Sequence, residues 1–302
     1  MARPGEVLLT EVGLRDGFQM ADRFVPTDLK VGLGESLIAA GLRRLEVTSF
    51  VSPRAVPQLA DAQEVVARLK TKGARLAALA PNPRGAERAV AAGVDEIVVF
   101  VSASETHNFQ NVNRTIAASL TGIAEMHSIG RSAGVPLCGA VATAFGCPFE
   151  GDVSVEAPLK IIRRYVELGI LDISLGDTTG MATPPLIERL CRAIQRELPE
   201  VRLALHFHNT RGIGLVNVLT GLNLGVARFE SSIAGLGGCP FAPGATGNVC
   251  SEDLVYLLQE LDIATGIDLE SLIAIARRVE AFFARSLPGQ VMKAGPRLQR
   301  RP

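Results

Sequence analysis

The 302-residue sequence has no tryptophan, only two tyrosines and four histidines, and a formal net charge of zero. With so few aromatic residues and no excess of basic ones, nucleic acid and anionic membrane surfaces are disfavoured as main partners, because base stacking and phosphate binding depend on both. No run of about 18 apolar residues occurs, and the first residues lack the pattern of a signal peptide. We therefore expect no membrane association and a cytoplasmic location.

Cysteine is also scarce, with five residues that are odd in number, scattered and free of C-x-x-C spacing. This pattern predicts reduced thiols in a reducing compartment rather than a disulfide framework. Hydrophobic residues make up 47% of the chain, which is enough for a large core. The length fits one domain of α/β-barrel size or two ordinary domains.

Short apolar segments alternate with helical patterns along the chain. The predicted strands are 7–13, 44–50, 76–80, 96–101, 137–144, 172–175, 203–208 and 229–233. The predicted helices are 26–40, 57–70, 86–92, 115–133, 155–168, 185–197, 214–224 and 252–261. Eight such units predict an α/β fold, a (β/α)8 TIM barrel, with an open doubly wound sheet as the alternative.

We expect one catalytic domain over residues 1–302. The barrel would span about residues 7–262, followed by a C-terminal extension over 263–302. Within that extension, 268–286 predicts an extra C-terminal helix, and the tail 288–302 is expected to be mobile.

Chemistry-bearing residues concentrate between Leu203 and Asn248. On a strand, His206 and His208 leave the same face, which suits a divalent metal, although the pair would also fit ordinary core or surface histidines. From 235 to 248 the chain holds five glycines, two prolines and Cys239, which predicts a shaped loop. Such a loop would bring the thiol over the metal and supply an oxygen ligand from Asn248. The alternatives are a simple turn and a small buried cysteine.

Other polar residues fall in or directly after predicted strands. Arg15 and Asp16 follow the first strand, Glu46 lies in the second, and Asp177 follows the sixth. In a TIM barrel the active site lies at the C-terminal ends of the strands, so these residues would share one rim with the two histidines. The alternatives are a surface ion pair, worth about 0–1 kcal/mol, and carboxylates that cap helices.

Six motifs carry a resemblance that spans about residues 7 to 262. They are Arg15-Asp16-Gly17-Phe18-Gln19, Glu46-Val47-Thr48-Ser49-Phe50-Val51-Ser52-Pro53, Ser104-Glu105-Thr106-His107-Asn108, Ser174-Leu175-Gly176-Asp177-Thr178, His206-Phe207-His208 and Gly235-Leu236-Gly237-Gly238-Cys239-Pro240-Phe241-Ala242. With them the sequence resembles the 3-hydroxy-3-methylglutaryl-CoA lyase family, within a wider group of metal-dependent barrel lyases and Claisen-type synthases. The cysteine loop is the most specific motif, because the related synthases lack it.

The resemblance implies a homo-oligomeric enzyme that cleaves 3-hydroxy-3-methylglutaryl-CoA, or a close 3-hydroxyacyl-CoA, to acetyl-CoA and a keto acid such as acetoacetate. The implied metal ligands are Asp16, His206, His208 and Asn248. Oxygen and imidazole ligands without thiolate suit Mg²⁺ or Mn²⁺. The implied catalytic residues are Arg15 for the enolate, Cys239 as proton donor, and Asp177, Glu46 or His206 as base. The implied substrate contacts are Arg15, Gln19, Ser49 and Ser174.

The sequence departs from the family pattern at three places. Met20-Ala21-Asp22 replaces the usual Asn-Glu-Lys, Asn209-Thr210-Arg211 replaces Asp-Thr-Tyr, and Glu230 replaces an aspartate. These departures leave the acyl group open, with citramalyl-CoA and longer branched 3-hydroxyacyl-CoA as alternatives. A synthase is disfavoured because the roughly 40 residues after Leu261 are too few for an added domain. A non-catalytic metal- or CoA-binding barrel is the remaining alternative.

Overall fold

The computed structural model describes residues 2–70, 72–238 and 247–298. Within them, eight parallel strands pair in chain order and close into a barrel, because the last strand pairs with the first. This is the predicted TIM barrel, and the open-sheet alternative is wrong. The strands are β1 (Leu8–Glu11), β2 (Arg44–Ser49), β3 (Arg75–Leu79), β4 (Glu96–Ser102), β5 (Leu137–Ala142), β6 (Asp172–Asp177), β7 (Arg202–Phe207) and β8 (Arg228–Ser231).

The helices surround the barrel, and the longer ones bury apolar side chains. In the seventh helix the buried apolar residues include Ile187, Leu190, Cys191 and Ile194. Their spacing of three or four places them on the one side of the helix that faces the core. The helices are α1 (Thr27–Ala39), α2 (Ala62–Leu69), α3 (Pro83–Ala92), α4 (Glu105–Val112), α5 (Ile116–Ser132), α6 (Glu156–Glu167), α7 (Pro184–Glu197), α8 (Gly214–Asn223), α9 (Ser251–Glu260), α10 (Leu269–Phe283) and α11 (Val291–Ala294).

Two short helices differ from the expectations. Helix α4 was not predicted, although the hydroxyl of Ser104 caps it by accepting a hydrogen bond from the backbone N–H of His107. The expected mobile tail is wrong for residues 288–294, where α11 forms and Val291 and Met292 are buried. The carboxylate of Asp253 fixes this segment by accepting hydrogen bonds from the backbone of Gln290 and Val291. The extension therefore packs on the barrel.

The predictions about cysteines and membrane spans can be compared with the described part of the chain. Its four cysteines are free and buried: Cys138, Cys147, Cys191 and Cys250. That agrees with reduced thiols rather than a disulfide framework. No helix in residues 2–70, 72–238 and 247–298 has both the length and the apolar character needed to cross a bilayer.

Candidate active site

A cleft of about 820 Å³ opens at the C-terminal ends of the strands. Its volume lies in the range of small-molecule sites, and its rim is the one that TIM-barrel enzymes use. Most of the predicted site residues line it together: Arg15, Asp16, Gln19, Glu46, Ser49, Ser174, His206 and His208. The structure thus brings together residues that lie up to 193 positions apart, as from Arg15 to His208.

Asp16, His206 and His208 form the centre of this cleft. One ligand atom from each lies within 4.8 Å of the others, and the group is largely buried. Strand β7 places the two imidazoles on the same face, with ring centroids 5.2 Å apart. His208 lies just past the strand and forms an isolated antiparallel β-bridge with Asn248. Asp16 comes from a single turn of π-helix, Gly13–Gly17, that follows β1.

Asn248 joins this group through a hydrogen bond. Its side-chain amide donates to Asp16 Oδ2 at 2.7 Å and to the carbonyl of Leu236 at 2.9 Å. Asn248 Oδ1 and His208 Nδ1 are both buried and lack a hydrogen-bond partner within the described residues. Because unpaired polar atoms are costly to bury, this amide oxygen and this imidazole nitrogen, close to the Asp16 carboxylate, fit a divalent cation.

Gly237, two residues before Cys239, lets the backbone lie close to the predicted ligands Asn248 and Asp16. Its φ of +126° lies in a region that side-chain-bearing residues rarely adopt. A Cβ atom there would lie 2.5 Å from Asn248 Nδ2 and 3.3 Å from Asp16 Oδ2. Glycine is therefore needed at this position for the backbone to come so close, and Gly238 after it lines the cleft.

Glu230 holds His206 in place. Its carboxylate lies 2.9 Å from His206 Nδ1, and β7 and β8 place the two residues in register. Burial alone would lower the pKa of His206, but the bond and charge of Glu230 raise it above the ordinary value. Burial would raise the pKa of Glu230, but hydrogen bonds from His206 and Ser174 and the charges of His206 and Arg44 lower it to about 2. Such a partner orients a metal-binding histidine and leaves its other nitrogen free.

The sequence by itself marks Glu230 only as a departure from the family pattern. A signal for its role was present, because a carboxylate two residues after the start of β8 shares the inward face with the histidine of the neighbouring strand.

The charges of Asp16 and His208 suit a cation. Burial would raise the pKa of Asp16, but Arg15 and the two histidines hold it at about 2, so the group is a carboxylate. Burial, together with the charge of His206, lowers the pKa of His208 to about 4, so its imidazole is neutral at neutral pH. A carboxylate and a neutral imidazole are the protonation states that a metal requires.

Arg15 ties this group to Glu46. Its Nε and Nη2 each donate to one Glu46 oxygen at 2.9 Å, and its Nη1 donates to Asp16. Burial by itself would lower the pKa of Arg15, but the charges of Glu46 and Asp16 raise it above its ordinary value. The guanidinium is therefore a permanent, partly buried cation beside the predicted metal ligands, and not the surface ion pair considered as the alternative.

A bulge in β2 brings both Glu46 and Ser49 to the cleft. Pairing between β2 and β3 shifts register between Glu46 and Thr48. In a regular strand residues three apart face opposite sides, so the bulge is what lets both line the cleft. The sequence motif contained both residues, but alternation alone predicts only one of them on the inner face.

Asp177 is directed toward a loop. Its Oδ1 accepts hydrogen bonds from the backbone of Met181 at 2.6 Å and Ala182 at 2.9 Å, just before α7. Burial raises its pKa to about 6, and these two hydrogen bonds offset part of that rise. The loop that ends β6 is thereby fixed beside the cleft. Cys239, the predicted proton donor, lies outside the described residues.

Glu11 joins the two segments that approach the ligands, and sequence reasoning missed it. Its fully buried carboxylate accepts hydrogen bonds from the backbone of Gly13 at 2.7 Å and Ile233 at 2.9 Å, and from the hydroxyl of Ser251 at 2.5 Å. Burial raises its pKa to about 7. It thus connects the turn that carries Asp16 to the turn that starts the cysteine loop.

Comparisons with known proteins agree with this geometry. The HMGL-like family profile matches residues 6–279. A hydroxymethylglutaryl-CoA lyase of Bacillus subtilis is 40% identical over 291 residues, covering 96% of this chain and 97% of the relative. A 3-hydroxy-3-isohexenylglutaryl-CoA/hydroxymethylglutaryl-CoA lyase of Pseudomonas aeruginosa is 42% identical over 295 residues, covering 97% of this chain and 98% of the relative.

Among solved structures, an HMG-CoA lyase from Acinetobacter baumannii in complex with coenzyme A and 3-methylmalate superposes with a TM-score of 0.94. It is 43% identical, and the match covers 99% of this chain and 98% of that one. Barrel, cleft, predicted ligand group and full-length similarity thus point the same way, and the chain belongs to the HMGL-like family.

Proposed function

We propose that the protein is a divalent-metal-dependent lyase that cleaves 3-hydroxy-3-methylglutaryl-CoA to acetyl-CoA and acetoacetate. The observation that carries this proposal is the buried group of Asp16, His206 and His208, set beside the Arg15–Glu46 ion pair in one cleft. A carbon–carbon lyase of this type is the function predicted from the sequence, and the activities of the curated relatives support it. Coenzyme A in the Acinetobacter structure supports an acyl-CoA substrate.

Asp16, His206, His208 and Asn248 would hold the cation. Once bound, it would supply Lewis acidity to the substrate oxygens, which acidifies the hydroxyl on the third carbon. Glu230 keeps His206 oriented for this role through their hydrogen bond of 2.9 Å. Mg²⁺ and Mn²⁺ both suit the oxygen and imidazole ligands, so we propose either as the native ion.

The reaction is a retro-Claisen cleavage. A base takes the proton of the C3 hydroxyl, the C2–C3 bond breaks, and its electron pair passes to C2 as a thioester enolate, while C3 becomes a ketone. Of the three predicted bases, Glu46 and His206 line the cleft. Both oxygens of Glu46 accept hydrogen bonds from Arg15, whereas only one oxygen of Asp177 is bonded to the loop backbone. Burial raises the pKa of Glu46 above its ordinary value, with Arg15 offsetting part of the rise, which makes it a stronger base.

Arg15 would stabilise the enolate oxygen. Glu46 and Asp16 hold its guanidinium rigidly in the cleft, so little reorganisation is needed when negative charge develops. Cys239 would then return a proton to C2, since an unperturbed thiol with a pKa of about 8.5 is mostly protonated at neutral pH. The loop that contains Cys239 would keep solvent water from protonating the enolate.

A cytoplasmic location and homo-oligomeric assembly stay predictions. Light scattering after size-exclusion chromatography tests the second: a mass near 32.0 kDa, that of one chain, would contradict it.

The activity is tested with purified protein and a panel of 3-hydroxy-3-methylglutaryl-CoA and citramalyl-CoA, each assayed with Mg²⁺ and with Mn²⁺. We expect release of acetyl-CoA and acetoacetate from the first thioester, loss of activity in EDTA, and recovery when either ion is added back. Full activity in a metal-stripped sample would contradict the metal requirement. Cleavage of citramalyl-CoA alone would move the proposal to that substrate.

A further inference from the structure

One wall of the cleft is apolar and partly exposed. Leu79, Phe100, Ala140 and Ala142, from β3, β4 and β5, are only partly buried and all line the cleft. The interior of a TIM barrel is ordinarily filled by packed branched side chains. Apolar side chains exposed to a site at this depth are a feature of surfaces that bind apolar groups.

The side chains nearest the charged residues on this wall are small. Ala140 stands in register with Phe100 on β4 and with Ser174 on β6. Ser174 donates a hydrogen bond to Glu230, so the charged part of the cleft begins at that strand. Two residues further along β6, Gly176 is in register with His206. Alanine and glycine therefore leave space between the aromatic ring of Phe100 and the predicted metal ligands.

The opposite wall carries ionisable groups. Arg15, Asp16, Glu46, His206 and Glu230 all line the cleft from the side of β1, β2, β7 and β8. A 3-hydroxyacyl thioester with a terminal carboxylate has oxygens at both ends and on C3, and one hydrocarbon substituent on C3. Its oxygens find partners on the charged wall, and the hydrocarbon substituent is best desolvated against the other.

We propose that the apolar wall, defined by Leu79, Val98, Phe100, Ala140 and Ala142, binds the C3 substituent and takes an aliphatic chain of several carbons. A methyl group is too small to cover side chains that come from three strands. Each further buried methylene is expected to improve binding roughly fourfold. None of these five side chains offers a charge or a hydrogen bond, so a polar substituent would lose its water without replacement.

The inference rests on the proposed lyase activity and is tested with C3-methyl and C3-hexyl forms of the 3-hydroxyglutaryl-CoA substrate. We expect the wild-type kcat/KM for the hexyl form to exceed that for the methyl form, by roughly fourfold for each methylene that the wall buries. In Ala140→Leu the added side chain occupies the wall, so kcat/KM for the hexyl form should fall by about 10-fold or more. The methyl form should change by less than about threefold.

Ala55→Leu is the matched control, since Ala55 is an exposed residue at the mouth of the same cleft. It should leave the hexyl-to-methyl ratio unchanged. Ala142→Val makes a smaller change on the same wall and should lower the ratio in the same direction. It provides the reading if Ala140→Leu does not fold.

Calorimetric titration with unreactive thioether analogues of both substrates gives a readout without turnover. The wild type should bind the hexyl analogue more tightly, and Ala140→Leu should lose that preference. A wild type that cleaves the methyl form at least as efficiently as the hexyl form would overturn the inference and leave the lyase proposal intact. Cleavage of neither substrate would contradict the lyase proposal, and the titration would then decide on the wall alone.

Discussion

Replacing Arg15 by lysine tests the centre of the proposed chemistry. The guanidinium donates to both oxygens of Glu46 at 2.9 Å and also to Asp16, whereas lysine has one nitrogen and cannot reproduce this planar fork. A hydrogen bond to a charged group is worth about 1.5–3 kcal/mol. Loss of the part directed at the enolate should therefore lower kcat by on the order of 10²-fold, because about 1.4 kcal/mol of barrier is a factor of ten.

The assay is steady-state kinetics of Arg15→Lys at saturating metal, with the melting temperature measured alongside. Arg44→Lys is the matched control, because Arg44 is also buried and bound to a glutamate, Glu96, but begins β2 and does not line the cleft. We expect similar losses of stability in both variants and a fall in kcat only in Arg15→Lys, with KM changing by less than about threefold.

Two results would refute this reasoning. An effect mainly on KM would make Arg15 a ground-state binding residue. An equal fall in kcat for Arg44→Lys would show that a loosened barrel, and not a lost cation, lowers the rate. A Mn²⁺ titration tests a further explanation. Weaker Mn²⁺ binding by Arg15→Lys would mean that Arg15 acts by holding Asp16 in place.

Three further predictions concern Glu230, Cys239 and Glu11. Glu230→Gln should weaken Mn²⁺ binding by about 10–100-fold in a direct titration, because the partner that orients His206 is altered; unchanged affinity would contradict that role. Cys239→Ser should lose most turnover and its sensitivity to a thiol-alkylating reagent, whereas Cys147→Ser, at a buried position, should stay sensitive; near-normal kcat would remove the thiol from the mechanism. Glu11 has its pKa raised to about 7 by burial, so its contribution to stability is present below pH 4.5 and lost as the pH rises through 7. Glu11→Gln should remove this loss, up to about 3 kcal/mol, in denaturant titrations at pH 5 and pH 8, and an unchanged pH dependence would show that the carboxylate is ionised throughout.

The barrel and most of the candidate site were predictable because both leave periodic or local signals. Eight apolar segments with helical patterns between them predicted closure. The i, i+2 spacing of His206 and His208 put both on one strand face, and their rings lie 5.2 Å apart. The C-terminal position of Arg15 and Asp16 after β1 put them on the same rim. These inferences depend only on strand periodicity and on the direction of parallel strands.

Other features were decided by contacts between distant segments, which no local pattern records. The bulge that turns Ser49 inward depends on how β2 pairs with β3. The role of Glu230 depends on its register beside His206, and that of Glu11 on a bond to Ile233, 222 residues away. The tail 288–302 was expected to be mobile because it is a chain terminus with several basic residues, yet Asp253 fixes the backbone of Gln290 and Val291. Composition and periodicity thus determined the barrel and its rim, while strand register and buried hydrogen bonds determined which side chains meet there, because those depend on segments brought together only by folding.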